Sequence, residues 1–130
     1  MTTQNEMKTV QVSELSGAAL DWAVAMAEGL KIRTVTKRGL TIIGHSPYLP
    51  RKVWNIAGPI IEREEIAIEP IAHYDSRDHV SGWDALMYYN GGLDVSCTGE
   101  TPLLAAMRCY VASKYGDTIE VPAALVEGEA

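Results

Sequence analysis

Gly99-Glu100-Thr101-Pro102-Leu103-Leu104-Ala105-Ala106-Met107-Arg108-Cys109-Tyr110-Val111-Ala112-Ser113-Lys114-Tyr115-Gly116 is a helix with both ends marked in the sequence. Thr101 suits the N-cap, because its hydroxyl can accept a bond from an amide left unpaired in the first turn. Pro102 then takes the first helical position, where a missing N–H costs nothing. Gly116 is a C-terminal stop, and Lys114 places a positive charge near the negative end of the dipole. Leu103, Met107, Tyr110 and Val111 recur at helical spacing, and Leu104 and Ala112 widen that face. Arg108 interrupts it. The domain is expected to be built around this helix.

Working outward, the 130 residues suit one domain, with residues 1–6 and 126–130 as flexible tails. An apolar content of 47% excludes a disordered class. The formal net charge of −6 argues against direct binding to nucleic acid or to an anionic membrane. Lys31, Arg33, Lys37 and Arg38 form the one local basic run, which reads as a solvated hairpin. No apolar run is long enough to span a bilayer, and residues 1–7 lack a signal-peptide core, so a cytoplasmic location in the host cell is expected. Cys97 and Cys109 read as free thiols. His45, His73 and His79 are scattered, so neither a metal site nor a cofactor is expected.

Upstream, Met7–Val12 reads as a strand. Ser16 caps a helix from Gly17 to Glu28, with Leu15 and Leu20 placed as a hydrophobic staple and Gly29 as the stop. This helix is apolar nearly all round, so it should be buried on most sides, and its alanines allow a close neighbour or a homo-oligomer. Asp21 and Glu28 lie on one side of it. They mark a solvent edge, or Asp21 reaches a partner. Lys31–Gly44 reads as a hairpin. The loop 45–52, carrying Tyr48 and followed by Trp54, is either a ligand lid or a flap pinned to the core. Pro59 should start a short helix bearing Glu62 and Arg63. Ile66–Tyr74 reads as an edge strand because of Pro70. Residues 75–78 read as a polar turn, Val80–Tyr89 as a strand, and Asn90-Gly91-Gly92 as a break. Ile119–Val121 reads as a last strand. The expected class is α+β, with two main helices on one mostly antiparallel sheet that includes the hairpin.

No known catalytic motif is present. There is no Phe, and the aromatic surface is three Trp and six Tyr, residues that join flat apolar area to a polar handle. Trp22 and Trp83 sit in apolar periodic runs and suit the core, although Trp83 could also line a site. Trp54 is freer. Glu62 and its acidic neighbours suit a solvated face or, less simply, an acid–base pair.

The stretch Trp54-Asn55-Ile56-Ala57-Gly58-Pro59-Ile60-Ile61-Glu62-Arg63-Glu64, then Trp83-Asp84-Ala85, then residues 101–114 resembles the phage NinX family, small proteins of lambdoid phages and prophages. The Leu15–Gly29 helix with Asp21-Trp22 is similar too. The resemblance implies a phage accessory gene product and supplies neither a reaction nor catalytic residues.

The expected function is therefore a non-enzymatic binder acting in the host during infection. It would counter host defence by sequestering a nucleotide-like signal or by gripping a host protein. The alternatives are a nucleotide-processing enzyme using Glu62 or Asp21, or an accessory factor in phage DNA metabolism. The candidate ligand residues are Arg108, Trp54, Tyr48, Asp21, Glu62, Arg63 and Trp83. Arg108 carries the sharpest question. It either pairs with Asp21, Glu62 or Asp84, or it waits in a pocket for an anion with Trp54 and Tyr48 closing over it.

Overall fold

Helix α3 (Pro102–Tyr115) begins as its sequence predicts. The Leu104 amide donates to Thr101 Oγ1 at 3.1 Å, and Gly116 ends the helix at φ 88°. Leu103, Ala105, Ala106, Met107, Cys109, Tyr110 and Val111 are all buried. The helix is thus covered on nearly every side, beyond the single apolar face its periodicity announces. The computed structural model describes residues 6–36, 39–42, 48–73 and 76–126. Among these residues the elements are β1 (Met7–Gln11), α1 (Gly17–Ala27), β2 (Ile32–Thr36), β3 (Gly39–Ile42), α2 (Trp54–Glu64), β4 (Ala67–His73), β5 (Ser76–Tyr89), β6 (Gly92–Gly99), α3 and β7 (Thr118–Pro122). Short 3-10 turns follow β1 and β7. The class is α+β. No helix among the described residues is long and apolar enough to cross a membrane.

One side of α3 packs on the antiparallel sheet β4–β5–β6. Trp83, Ala85 and Met87 of β5 and Val95 and Cys97 of β6 face the core, at the alternation a one-sided sheet requires. Asn90 and Gly91 both adopt positive φ and join Tyr89 to Gly92 in a two-residue hairpin, the conformation Asn-Gly favours. Gly99 fits beneath α3 only as glycine, since a Cβ there would meet the Ala105 amide nitrogen at 2.7 Å.

The other side of α3 meets α1 and α2. Helix α1 buries Ala19, Leu20 and every residue from Asp21 to Ala25. Ser16 occupies its N-cap without a side-chain capping bond, while Leu15 and Leu20 are both buried, so the staple outlasts the cap. The main neighbours of α1 are α3, β3 and β7, so it forms a layer behind α3 and not a second helix on the sheet. β1 pairs antiparallel with β7.

Several expectations are corrected. The hairpin β2–β3 forms, with Thr36 opposite Gly39, but as a separate two-stranded sheet. In the larger sheet β5 has a neighbour on both edges, and the outer edge of β4 carries Pro70, which has no N–H to donate. Helix α2 starts at Trp54, so Pro59 lies inside it. Pro59 is exposed, as is Asn55 four residues before it, so the carbonyl left without a donor belongs to the exposed side of the helix. Glu65, at φ 56°, ends the helix without a glycine. Ser76–Asp78 belong to β5 and not to a turn. Val126, expected in a frayed tail, packs against the core. The expected tails 1–5 and 127–130, the hairpin turn 37–38, residues 43–47 and 74–75, and the side chains of Arg33, Lys37 and Arg38 lie outside the described residues.

Candidate functional site

On α3, Leu104, Arg108 and Ala112 are four residues apart and share one face, and Gly116 continues the row past the helix end. This row floors a cleft. One wall is the edge strand β6 from Asp94 to Gly99, continued by Glu100. The facing wall is formed by Gln11, Val12, Ser13 and Ser16. Arg108 crosses between the walls. Its Nε donates to the Leu15 carbonyl at 2.7 Å, and its Nη1 donates to the Thr98 carbonyl at 2.8 Å. Nη2 has no hydrogen-bond partner among the described residues and is not sealed from solvent. Two recesses lie along this row: one of about 510 Å³, which Arg108 lines, and a neighbouring one of about 470 Å³, one turn further along α3 at Ala112. Ile71, Gly82, Leu104, Ser16 and Glu100 line the first, whereas Asp94, Ser96, Cys97, Ser13, Gln11 and Asp117 line the second.

The expected ion pair of Arg108 with Asp21, Glu62 or Asp84 does not form. A half-buried guanidinium needs acceptors, and two main-chain carbonyls supply them as well as a carboxylate would. Burial lowers its pKa, an effect that nearby Cys97, Glu100 and Glu14 oppose. Tyr48 and Trp54 do not close over it either, because neither lines the cleft.

Asp21 is 1% exposed and is the one buried charged residue among those described. The solvent-edge reading is therefore wrong for it. Arg51 reaches it twice from the segment before α2, with Nε donating to Oδ2 at 2.8 Å and the backbone amide to Oδ1 at 3.3 Å. Tyr48 and Pro50 are buried beside this anchor. Among the described residues of this loop the flap reading holds, since Asp21 pins it to α1. Burial, and then the carboxylates Glu28 and Asp21, push the Tyr48 phenol up.

At the far end of α1, Arg63 of α2 forks onto Glu28, with Nη2 at 2.5 Å and Nη1 at 3.3 Å, and its Nε donates to Glu64 at 2.8 Å. The Tyr110 hydroxyl donates to the same Glu28 carboxylate, and Arg63 and Lys114 stand 5.8 Å from its ring centre. A recess of about 260 Å³ beside this cluster is lined by Leu30, Tyr48, Ile56, Pro59 and Ile60. Arg63 is thus already neutralised by two carboxylates, so it is poorly placed to take an anion. Glu62 and Trp54 are exposed on α2, and Trp83 is half-buried against the core. Cys97 and Cys109 are free, and burial pushes the Cys109 thiol up to about 12, so it is inert.

The two acids of α1 give opposite pH dependences. Burial raises Asp21 to about 6 against the pull of Arg51. The folded chain then holds a proton that the unfolded chain releases, so stability falls as pH rises from about 4 to about 6. Burial also raises Glu28, but hydrogen bonds from Arg63 and Tyr110 outweigh it and leave its pKa lowered from 4.5. That contribution is lost as pH falls below about 4.5. Urea midpoints should therefore peak near pH ~4. Asp21→Asn should flatten the limb above the peak and Glu28→Gln the limb below it. A midpoint rising steadily from pH ~5 to ~7 would contradict the Asp21 assignment.

The structure thus spreads the seven sequence candidates over separate places and brings only Tyr48 and Arg63 to a shared recess. Arg51, Glu28 and the cleft residues Ser16, Asp94, Thr98 and Asp117 escaped the sequence reading. The signal at Asp21, a charge within a helix apolar nearly all round, was read instead as a solvent edge. The acceptors of Arg108 are backbone atoms, which carry no side-chain signature.

A family model described as bacteriophage P22 NinX matches residues 11–114, a span that contains α1, the Asp21–Arg51 pair and nearly all of α3. No curated protein matches the chain.

Proposed function

This chain belongs to the phage P22 NinX family, and from that premise we propose that it is a non-enzymatic binder that sequesters a nucleotide-like anion in the Arg108 cleft during infection. The observation that supports this reading is the guanidinium itself. It is held in orientation by two carbonyls, leaves Nη2 without a partner among the described residues, and lines a recess of about 510 Å³. Pre-orientation matters, because no rotamer entropy is then lost when a phosphate oxygen binds. The host cytoplasm is the proposed location.

Arg108→Lys tests this. A lysine cannot bridge Leu15 and Thr98 as the planar fork does, so stability should fall by about 1–2 kcal/mol. Affinity for ADP, read by calorimetry well below the variant's melting temperature, should fall at least about tenfold. An unchanged affinity per folded molecule would remove Arg108 from the site.

A second reading has its own observation. Tyr88, Tyr89 and Leu93 are 58%, 72% and 56% exposed at the end of the β5–β6 hairpin. Trp54 is 55% exposed on α2. Tyr and Trp anchor many protein interfaces, so a host protein is the alternative partner. Capture of one host protein by the wild type and not by a Tyr88→Ser/Tyr89→Ser variant, with no nucleotide bound, would favour it.

A further inference from the structure

Resting on the binder reading above, we infer that the ligand is a nucleoside diphosphate extended by a second ribose, lying along α3 with its diphosphate across Arg108. The order of groups in the cleft carries this inference. Glu100 and Arg108 line the first recess, and the neighbouring recess, one turn further along α3 at Ala112, is lined by Asp94 and Asp117. Carboxylates only accept hydrogen bonds, so they suit paired sugar hydroxyls and repel phosphate. A phosphate chain running on past Arg108 would meet Asp94 or Asp117. An anion at the middle with a neutral, hydroxyl-bearing arm on each side meets complementary groups throughout.

The first recess also has an apolar plate for a base. Ile71 and Leu104 line it, and Gly82 adds flat backbone next to Ile71, whose Cδ1 lies 3.9 Å from where a Gly82 Cβ would stand. Ser13, Ser96 and Gln11 in the second recess supply further hydroxyl and amide partners. The length fits as well. The row from Leu104 to Gly116 spans about 18 Å at ~1.5 Å per residue, room for a sugar on either side of a diphosphate.

An added peptide strand is the competing occupant, since β6 is an edge strand. One guanidinium reaches both walls at Arg108. A strand seated between them would need ~4.8 Å to each side. The guanidinium occupies that gap, so a strand would have to displace it.

Calorimetry with ADP-ribose, ADP and inorganic phosphate tests the inference, using the full chain and an Asp94→Ala/Asp117→Ala variant whose substituted side chains are exposed. ADP-ribose should bind the wild type at least about tenfold more tightly than ADP, the worth of one or two charge-assisted hydroxyl bonds. The double variant should lose that preference and keep or improve its affinity for ADP, because two repelling charges are gone. Equal binding of ADP and ADP-ribose by the wild type, or a preference that survives in the double variant, would overturn the second-ribose inference and leave the anion site standing. Failure of all three probes to bind would remove both.

Discussion

Tyr110→Ala should lower the unfolding free energy by about 3–5 kcal/mol, the cost of emptying a large aromatic site in a packed core. Tyr110 is 1% exposed in the middle of α3, so the cavity opens between helices that cannot readily collapse into it. The substitution also removes the hydroxyl that donates to Glu28 and the ring beneath Arg63 and Lys114. Tyr110→Phe separates the two contributions. It keeps the ring and deletes one hydrogen bond to a carboxylate that Arg63 still serves, and it should cost about 1–2 kcal/mol. Urea denaturation measures both. An alanine variant no weaker than the phenylalanine variant would mean that the ring fills no space of consequence.

Arg51→Ala should be nearly as damaging at neutral pH, by about 3–5 kcal/mol, because it strands a buried carboxylate. Arg51 donates two hydrogen bonds to Asp21, and its own side chain is 22% exposed, so the reverse deletion is milder. Without the guanidinium, Asp21 must be neutral to stay buried. The deficit should therefore shrink as pH falls toward ~5, where the carboxyl takes up a proton. Adding Asp21→Asn to Arg51→Ala should restore much of the loss at pH ~7. A deficit that is the same at both pH values would show that Arg51 acts by packing alone.

The helices and strands were largely legible because their signals are local. Thr101, Pro102 and Gly116 bound α3, and Asn90-Gly91 folds the β5–β6 hairpin, through interactions within a few residues. What was not legible was non-local. Nothing in residues 31–44 says that their hairpin stays apart from the larger sheet, because that is decided by where distant segments pack. Pro59 misled for a related reason, since a helix tolerates an internal proline when the orphaned carbonyl belongs to its exposed side. At the candidate site, Arg108 stood out as a charge in an apolar run. Its partners, 93 and 10 residues away along the chain, are carbonyls of Leu15 and Thr98. Asp21 and Arg51 are 30 residues apart, and only the fold introduces them.

The pairing of β1 with β7 bears on how the molecule assembles. Met7 stands opposite Pro122 and Gln11 opposite Thr118. Bringing those two segments together closes a loop of about 110 residues, an entropic cost that nothing local can offset. Contacts of such high sequence separation form late, after the hairpins and helices between them have collapsed. Four of the five β1 residues are exposed, so little apolar area holds β1 in place against β7, whose own Ile119 and Val121 are buried in the core. The β1–β7 ribbon is accordingly the clasp of the fold, the last piece to close during folding and the first to open under strain.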